Sequence, residues 1–352
     1  MINRKTLIIV FSLCLWLWLS LSHVSRALAW GDIGHGAVGF IAEKNLTSKG
    51  RALVHQIIGI ESLAIAAMWP DQSRSDERFK AFAPFHFFEI PPQFTFSTLP
   101  ESDRAISDAH TIINQVPSML IDAKLSREQK MILFRYLVHV VGDVHQPLHI
   151  GNGIDRGANL CSVNWTNPST GLVESTNLHT AWDEKLIENI AQESKATNPS
   201  APGIKRLFGY KEFADLILAE TKNQKGEGDF ASISRAPVPN WYDESRNLHS
   251  EVYPDVKPST KPEERSYCKV VDKKTQKVTN GKFDPDKIPT LDSVYIQKSI
   301  PTLKKRVLYA GYRLAGLINK ISEGSIQINR SINDDMKDLE TITLKNSKST
   351  RN

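Results

Sequence analysis

Two stretches of the chain place imidazoles and carboxylates at helical spacing. In HVVGDVHQPLH, His139 and Asp143 are four residues apart, and in NLHTAWD, His179 and Asp183 repeat that interval. Residues at i and i+4 share one face of an α-helix, so each pair offers a nitrogen lone pair and an anionic oxygen to one point. That donor combination suits zinc. Pro147 ends the first helix, which lets His149 return toward the same point from another direction. One such pair is ordinarily a solvated helix face; two pairs with His149 point to metal.

Further candidates come from composition. Asp71 follows an aromatic–proline turn in WPD, and His86 lies in the apolar run FHFFE, where a hydrogen-bonded core histidine is the competing reading. WGDIGH places Trp30 five residues before His35, directly after a stretch built for export. Arg4 and Lys5 precede the 15-residue apolar run LIIVFSLCLWLWLSL, and Ala27-Leu28-Ala29 has the small-x-small form read by signal peptidase. The run is short for a span of about 20 residues, so cleavage after Ala29 is expected rather than anchoring. Residues 1–29 then form a leader, 30–322 the functional domain and 323–352 a polar, disordered tail without aromatics. Cleavage would give Trp30 a free α-amine, of reference pKa about 8, able to chelate a metal together with its own carbonyl oxygen.

The elements that must position these groups are mostly helices. Apolar residues recur at three and four in residues 106–122, 127–147 and 302–320. Met131, Phe134, Leu137, Val138 and Val141 make one stripe, and Leu303, Val307, Leu308, Leu314 and Leu317 another. Strand patterns are scarce; residues 163–176 suit a small β-hairpin around Pro168 and Gly171. Residues 250–290, rich in Pro, Lys and Ser, read as a long surface excursion. The fold class expected is mainly α, a single helical domain. Without Cys14 of the leader, Cys161 and Cys268 remain, and an exported chain with two cysteines suggests one disulfide.

Charge narrows the partners. The formal net charge is +5, and the leader carries three basic and no acidic residues, so the processed chain falls to +2. A broad basic surface is excluded, and any anion affinity must be local.

The chain resembles the S1/P1 nuclease family, zinc-dependent single-strand nucleases that are also 3′-nucleotidases. Trp30 and His35 match its mature N-terminus; WPD, the HF of FHFFE, HVVGDVHQPLH and NLHTAWD match its ligand motifs in order, and AGYRLAGLIN its closing helix. The resemblance implies the phospholipase C/nuclease type of fold, with a trinuclear zinc cleft and three Zn²⁺ per chain. Asp71, His86, His139 and Asp143 would hold the first ion, His149, His179 and Asp183 the second, and Trp30 with His35 the third, sharing Asp143. It further implies an exported enzyme, secreted or periplasmic, acting as a monomer on single-stranded DNA, RNA and 3′-nucleotides. Breakage at P–O3′ would leave 5′-phosphates. Three Zn²⁺ against three aspartates leave about +3 in the cleft, suited to a phosphodiester.

Asp71 would orient or deprotonate the attacking water, and Arg74, three residues on, would grip the developing phosphorane charge. Phe87 is placed to stack on an unpaired base, Glu89 to meet base edges, and Asn159 to bind substrate. The sequence GAN at 157–159 departs from the family's GGN, and Ala158 puts that loop's backbone conformation in doubt. His145 falls off the His139/Asp143 face, and His55, His110 and His249 carry no pattern. A zinc phospholipase C is the nearest rival, but that family ends its ligand set with Glu where this chain has Asp183. A non-enzymatic zinc-stabilised protein is the third reading. Structural sites usually have four protein ligands, whereas His149, His179 and Asp183 number three.

Overall fold

The computed structural model describes residues 30–101, 108–197, 209–222, 229–255, 257 and 260–324. The expected leader and nearly all of the expected tail lie outside the described residues.

Capping side chains start the helices around the site. Thr47 accepts from Gly50 N ahead of α2 (Ser48–Ile58), which follows α1 (Gly31–Lys44). Ser62 accepts from Ile65 N to start α3 (Leu63–Gln72), and Asp108 from Thr111 N to start α4 (Ala109–Ile121). Ser126 and Gln129 form a reciprocal capping box on α5 (Arg127–Asp143). Each cap satisfies an N–H that the helix leaves open, a contribution of about 1 kcal/mol. Later helices are α6 (Leu186–Thr197), α7 (Tyr210–Lys222), α8 (Val238–Asn247) and α9 (Ser293–Ser322).

The expected helical architecture is present. α1 packs against α3, α7 and α9, while α5 packs against α3 and α4. Gly39 permits the α1–α3 contact, because a Cβ there would stand 2.3 Å from Leu63 O. One contiguous core runs through these helices, including Trp30, Val38, Leu133, Val140, Leu314 and Ile318. α5 differs from the expected single stripe: every residue from Tyr136 to Asp143 is buried, as suits the central helix of a bundle. α9 begins nine residues before the expected 302. Its cap, Asp292, accepts from Val294 N and Tyr295 N, and Pro301 sits on the exposed face, where losing one backbone hydrogen bond is cheap.

Small sheets join the ligand-bearing turns. β1 (Phe88–Glu89) pairs in parallel with β2 (Ile150–Gly151), Phe88 opposite Ile150. β3 (Ser162–Thr166) and β4 (Val173–Asn177) form the expected hairpin, and β7 (Thr290–Leu291) adds in parallel to β3. The expected surface excursion carries the short ribbon β5 (Val270–Val271)/β6 (Val278–Thr279) but is pinned to the domain. Tyr253, Arg265, Tyr267 and Cys268 in it are buried. The Cys161–Cys268 disulfide is formed across 107 residues of chain. Closing so long a loop stabilises the fold by about 4–5 kcal/mol on a chain-entropy view. Among the described residues no single helix is long and apolar enough to cross a membrane.

Behind α5 lies a buried ionic knot. Arg306 and Arg313 of α9 both bond Glu244 of α8, at 2.6 Å from Nη1 to Oε2 in each case. Arg306 Nε also donates to His145 O (3.0 Å), and Arg313 Nη1 to His145 Nε2 (3.0 Å). Both arginines are almost wholly buried, whereas the Glu244 side chain is 35% exposed. Glu244→Gln leaves two guanidinium charges in the interior. Stability is expected to fall by about 3 kcal/mol, the low end for a broken buried pair because water reaches Glu244. Urea denaturation at fixed zinc concentration measures it; a loss under 1 kcal/mol refutes this account of the knot.

Candidate metal centre

Each candidate side chain is delivered by the end of an element. Asp71 stands in the last turn of α3, where Trp69 packs edge-on to Phe79 and Tyr136 and fixes the turn. His86 ends the 3-10 helix Glu77–His86, and His139 and Asp143 occupy the last turns of α5. His149 ends the single turn Pro147–His149. Because β1 follows His86 and β2 follows His149, their pairing locks these two turns together. His149 Nδ1 donates to His86 O at 2.7 Å. β4 leads into the turn Leu178–Thr180, capped by Asn177, and then the π-helical turn Ala181–Lys185, which carries Asp183. His35 comes from the start of α1.

These residues converge. His139 Nε2 lies 2.9 Å from His86 Nδ1, 3.2 Å from Asp143 Oδ2 and 3.7 Å from Asp71 Oδ1. His86 Nδ1 is 3.1 Å from Asp143 Oδ2 and 3.8 Å from Asp71 Oδ1. A tetrahedral zinc with bonds of about 2.0–2.1 Å needs ligand atoms about 3.3 Å apart, so five edges of this tetrahedron fit. Asp143 turns its other oxygen, Oδ1, to His35 Nε2 at 3.2 Å and His149 Nδ1 at 3.7 Å. The third group has His179 Nε2 3.0 Å from Asp183 Oδ2 and His149 Nε2 3.9 Å from Asp183 Oδ1.

The hydrogen bonds sort the ring nitrogens. His139 Nδ1 donates to Ala67 O (2.6 Å) and His179 Nδ1 to Gly157 O (2.7 Å), which leaves each Nε2 turned into the cluster. Among the described residues eight buried atoms of the cluster have no hydrogen-bond partner: both nitrogens of His35, both oxygens of Asp71, His86 Nε2, Asp143 Oδ1, His149 Nε2 and Asp183 Oδ2. Polar atoms buried without hydrogen bonds are costly, and bound cations would partner the carboxylate oxygens and unprotonated ring nitrogens among them. The donor set, its spacing and its orphaned atoms fit a multinuclear divalent centre. A fourth close group, Asp155 with Cys161 and Cys268, fits none, because its sulfurs form the disulfide.

Burial and neighbours set the proton affinities. Burial, reinforced by His139, lowers His35 to about 4 and His86 to about 3, so both rings are neutral near pH 7, the form that binds metal. At His139 burial is outweighed by Asp143 and Asp71, and at His179 by Asp183, so both hold protons above the usual range. Burial works against charge on Asp143, yet His139 and His149 keep it well below the ordinary carboxylate range. Asp71 is pushed up to about 6 by burial, which outweighs His139 and Arg74.

Sequence reasoning missed three supports. Gln146 is buried and donates from Nε2 to Asp183 Oδ1 at 2.6 Å. Its place inside the ligand run was the available signal. Gly142 lets His35 approach α5, since a Cβ there would lie 2.9 Å from His35 Nδ1. The indole of Trp30, fully buried, donates to Gly142 O at 2.8 Å and so seats the start of α1. Trp30 O accepts from Gly34 N (3.1 Å) as the first acceptor of the helix.

The expected substrate contacts divide. Arg74 Nε lies 3.1 Å from Asp71 Oδ1 at the rim, and Phe87 beside His86 is 46% exposed. Glu89 instead faces the β2 end: its Oε2 accepts from Gly153 N at 2.5 Å, and burial raises its carboxyl to about 7. Asn159 Nδ2 donates to Arg156 O at 3.0 Å within its own loop. The doubt over Ala158 resolves into a left-handed run, with φ of 54°, 59° and 63° at Arg156, Gly157 and Ala158. The strain at Ala158, about 1 kcal/mol, is offset by burial of its methyl and by Ala158 N donating to Asp155 Oδ1 at 2.8 Å.

With this geometry in place, the matches to known proteins become informative. The S1/P1 Nuclease family model matches residues 30–323. The chain belongs to the S1/P1 nuclease family. Endonuclease 3 of Arabidopsis thaliana is 26% identical over 320 residues, covering 88% of this chain and 94% of that protein. Nuclease S1 of Aspergillus oryzae is 28% identical over 323 residues, covering 86% and 97%. Nuclease P1 of Penicillium citrinum is 26% identical over 167 residues, covering 46% and 59%. The family match begins at Trp30 and so takes in every residue of the candidate cluster.

Metal addition tests the centre without reference to catalysis. At a thousandfold excess over Kd one site contributes about 4 kcal/mol. At about 2 °C per kcal/mol for a large domain, zinc should raise the Tm of stripped protein by at least about 8 °C, and a chelator should reverse it. An unchanged Tm would remove the metal reading of the cluster.

Proposed function

We propose that this protein is an exported, zinc-dependent nuclease. It hydrolyses single-stranded DNA and RNA, and 3′-nucleotides, at the P–O3′ bond, as a monomer holding three Zn²⁺. The observation that carries the reading is the shared Asp143, with one oxygen facing His86 and His139 and the other facing His35. A carboxylate with both oxygens committed to buried imidazoles on opposite sides suits two adjacent cations better than one. Asp71, His86, His139 and Asp143 hold the first ion; His149, His179 and Asp183 the second; His35, Asp143 and the amine and carbonyl of Trp30 the third.

Zinc in these pockets supplies Lewis-acid stabilisation of phosphoryl charge and a source of hydroxide near neutral pH. The chain's residues do the rest. Asp71, whose burial favours the protonated form, orients the attacking water and receives its proton. Arg74 donates N–H groups to the equatorial oxygens as charge accumulates. A P–O bond to the water oxygen forms as the P–O3′ bond breaks; O3′ ends as a hydroxyl and the phosphate stays on the 5′ side. Phe87, exposed beside His86, stacks on the base, and only an unpaired strand presents a free base face there. The contacts of Glu89 and Asn159 favour roles in shaping the loops over direct grips on substrate.

The phospholipase reading draws no comparable support, because the relatives named above are endonucleases and nucleases. A purely structural zinc protein would close each shell with protein ligands, and the His149/His179/Asp183 group offers three.

Digestion of single-stranded DNA by processed, zinc-loaded protein should be abolished by chelator and leave 5′-phosphate ends. Products with 3′-phosphates would overturn the leaving-group assignment. One extra residue ahead of Trp30 should remove one zinc per chain, read by metal analysis, and cut activity at least about tenfold. Full metal content in that form would exclude the amine as a ligand. Phe87→Ala should raise KM about 5- to 100-fold on single strands with little change in kcat, the loss of one base-stacking contact.

A further inference from the structure

A pocket of about 440 Å³ opens between the segment after Ile90, α8 and the pinned excursion, and none of its lining residues is a candidate metal ligand. Its wall contains Arg246, Lys261 and Arg265, the neutral donors Gln93, Asn247 and Ser250, and no carboxylate. Arg246 Nε donates to Ile90 O at 2.8 Å and its Nη1 to His249 Nδ1 at 3.1 Å. His249 passes its own proton on, from Nε2 to Pro147 O at 2.9 Å, so the ring is neutral and serves to aim the guanidinium. Burial and the nearby Arg246 lower His249 to about 3, in keeping with that tautomer. No carboxylate among the described residues pairs with Arg246, whereas Arg265 pairs with Asp255 at 2.8 Å. The Nη1 of Arg265 is buried without a hydrogen-bond partner. Two guanidiniums and an ammonium line one concavity whose wall holds no carboxylate, although Asp155 and Glu89 act on Arg246 from behind it and Asp255 pairs with Arg265, so the wall itself is cationic.

We propose that this pocket binds a phosphate-class oxyanion, and that its size fits a phosphate carried on a nucleotide. Arg246 holds the anion with its Nη2 donors, Lys261 closes on it from the exposed rim, and Gln93, Asn247 and Ser250 complete a donor shell. The pocket volume falls in the range of small-ligand sites, larger than a bare ion requires, and Phe94 and Pro92 supply an apolar wall for the rest of the ligand. Two of its lining residues are tied to backbone near the centre, Arg246 to Ile90 O and His249 to Pro147 O. The anion site stands independently of the metal reading; only a nucleotide as the source of the phosphate rests on the nuclease reading.

The test is calorimetric titration of the folded, zinc-loaded protein with inorganic phosphate and, separately, with a phosphorothioate dinucleotide that resists cleavage. Crystals soaked in molybdate locate the site directly. Wild-type protein should show phosphate binding in addition to that at the metal centre, and molybdate within hydrogen-bond reach of Arg246. Arg246→Gln should weaken the pocket's affinity at least about tenfold, the loss of a charge-assisted contact. Lys261→Gln, at an exposed position, keeps the test interpretable if the first variant fails to fold, and should weaken binding about threefold. Tighter binding of the dinucleotide than of phosphate, lost in both variants, identifies a nucleic-acid strand as the source; equal affinities identify the free ion. Phosphate bound only at the metal centre, or pocket binding unchanged in Lys261→Gln with no molybdate at Arg246, would overturn the proposal. Failure of nuclease activity with pocket binding intact would count against the function alone.

Discussion

A carboxylate with no access to solvent, set among four imidazoles, is the constraint around which the molecule is built. Asp143 is fully buried, and His35, His86, His139 and His149 all approach it within 4 Å. Burying one charge without compensation would cost a large part of the stability of an ordinary domain. The chain meets the problem by arranging rigid elements so that the partners cannot retreat. The end of α5, from Tyr136 to Asp143, is buried on all sides, α1 is pinned to it through Trp30 and Gly142, and the β1–β2 pairing fastens the turns of His86 and His149 to one another. A ligand that binds only the folded arrangement of such groups adds its binding free energy to the stability of the fold.

The helical spacing of His139 with Asp143 and of His179 with Asp183 was legible because helix geometry alone dictates which side chains meet. The hairpin was legible from its turn residues and the disulfide from cysteine number. His86 was not legible from its surroundings, since an apolar run reads equally well as core; only its place in the ordered motif singled it out. The stripe read on α5 was too narrow because His139 and Asp143 on another face look like a solvated side, whereas both are buried in the candidate cluster. The end of α5 is therefore buried all round despite a mixed composition. The start of α9 was missed because Pro301 reads as a helix break, although an exposed proline position is tolerable. For Glu89 and Asn159 the sequence identifies a neighbourhood, and the hydrogen bonds to Gly153 N and Arg156 O are seen only in the structure.

Local strain is concentrated beside the centre. The left-handed run from Arg156 to Ala158 presents Gly157 O to His179 Nδ1, so the ring's other nitrogen is directed by a backbone conformation that two of its three residues adopt at a cost. Asp155 holds the run in place, itself bonded by Asn152 and Tyr253 at 2.8 Å each. The pinned excursion, which supplies Tyr253 and the second cysteine, is thereby part of the apparatus that orients a ligand.

All candidate ligands lie between residues 30 and 183, yet α9, more than a hundred residues later, packs on α1 and, through Arg306 and Arg313, grips His145 between two of them. The last helix thus works as a keystone, placed after everything it locks. During synthesis the donors emerge from the ribosome well before the piece that fixes their positions, so a nascent chain carries every donor and lacks the tight site they will form. A change in that helix would therefore act on the candidate ligands from far along the chain, through the contacts of Arg306 and Arg313 with His145.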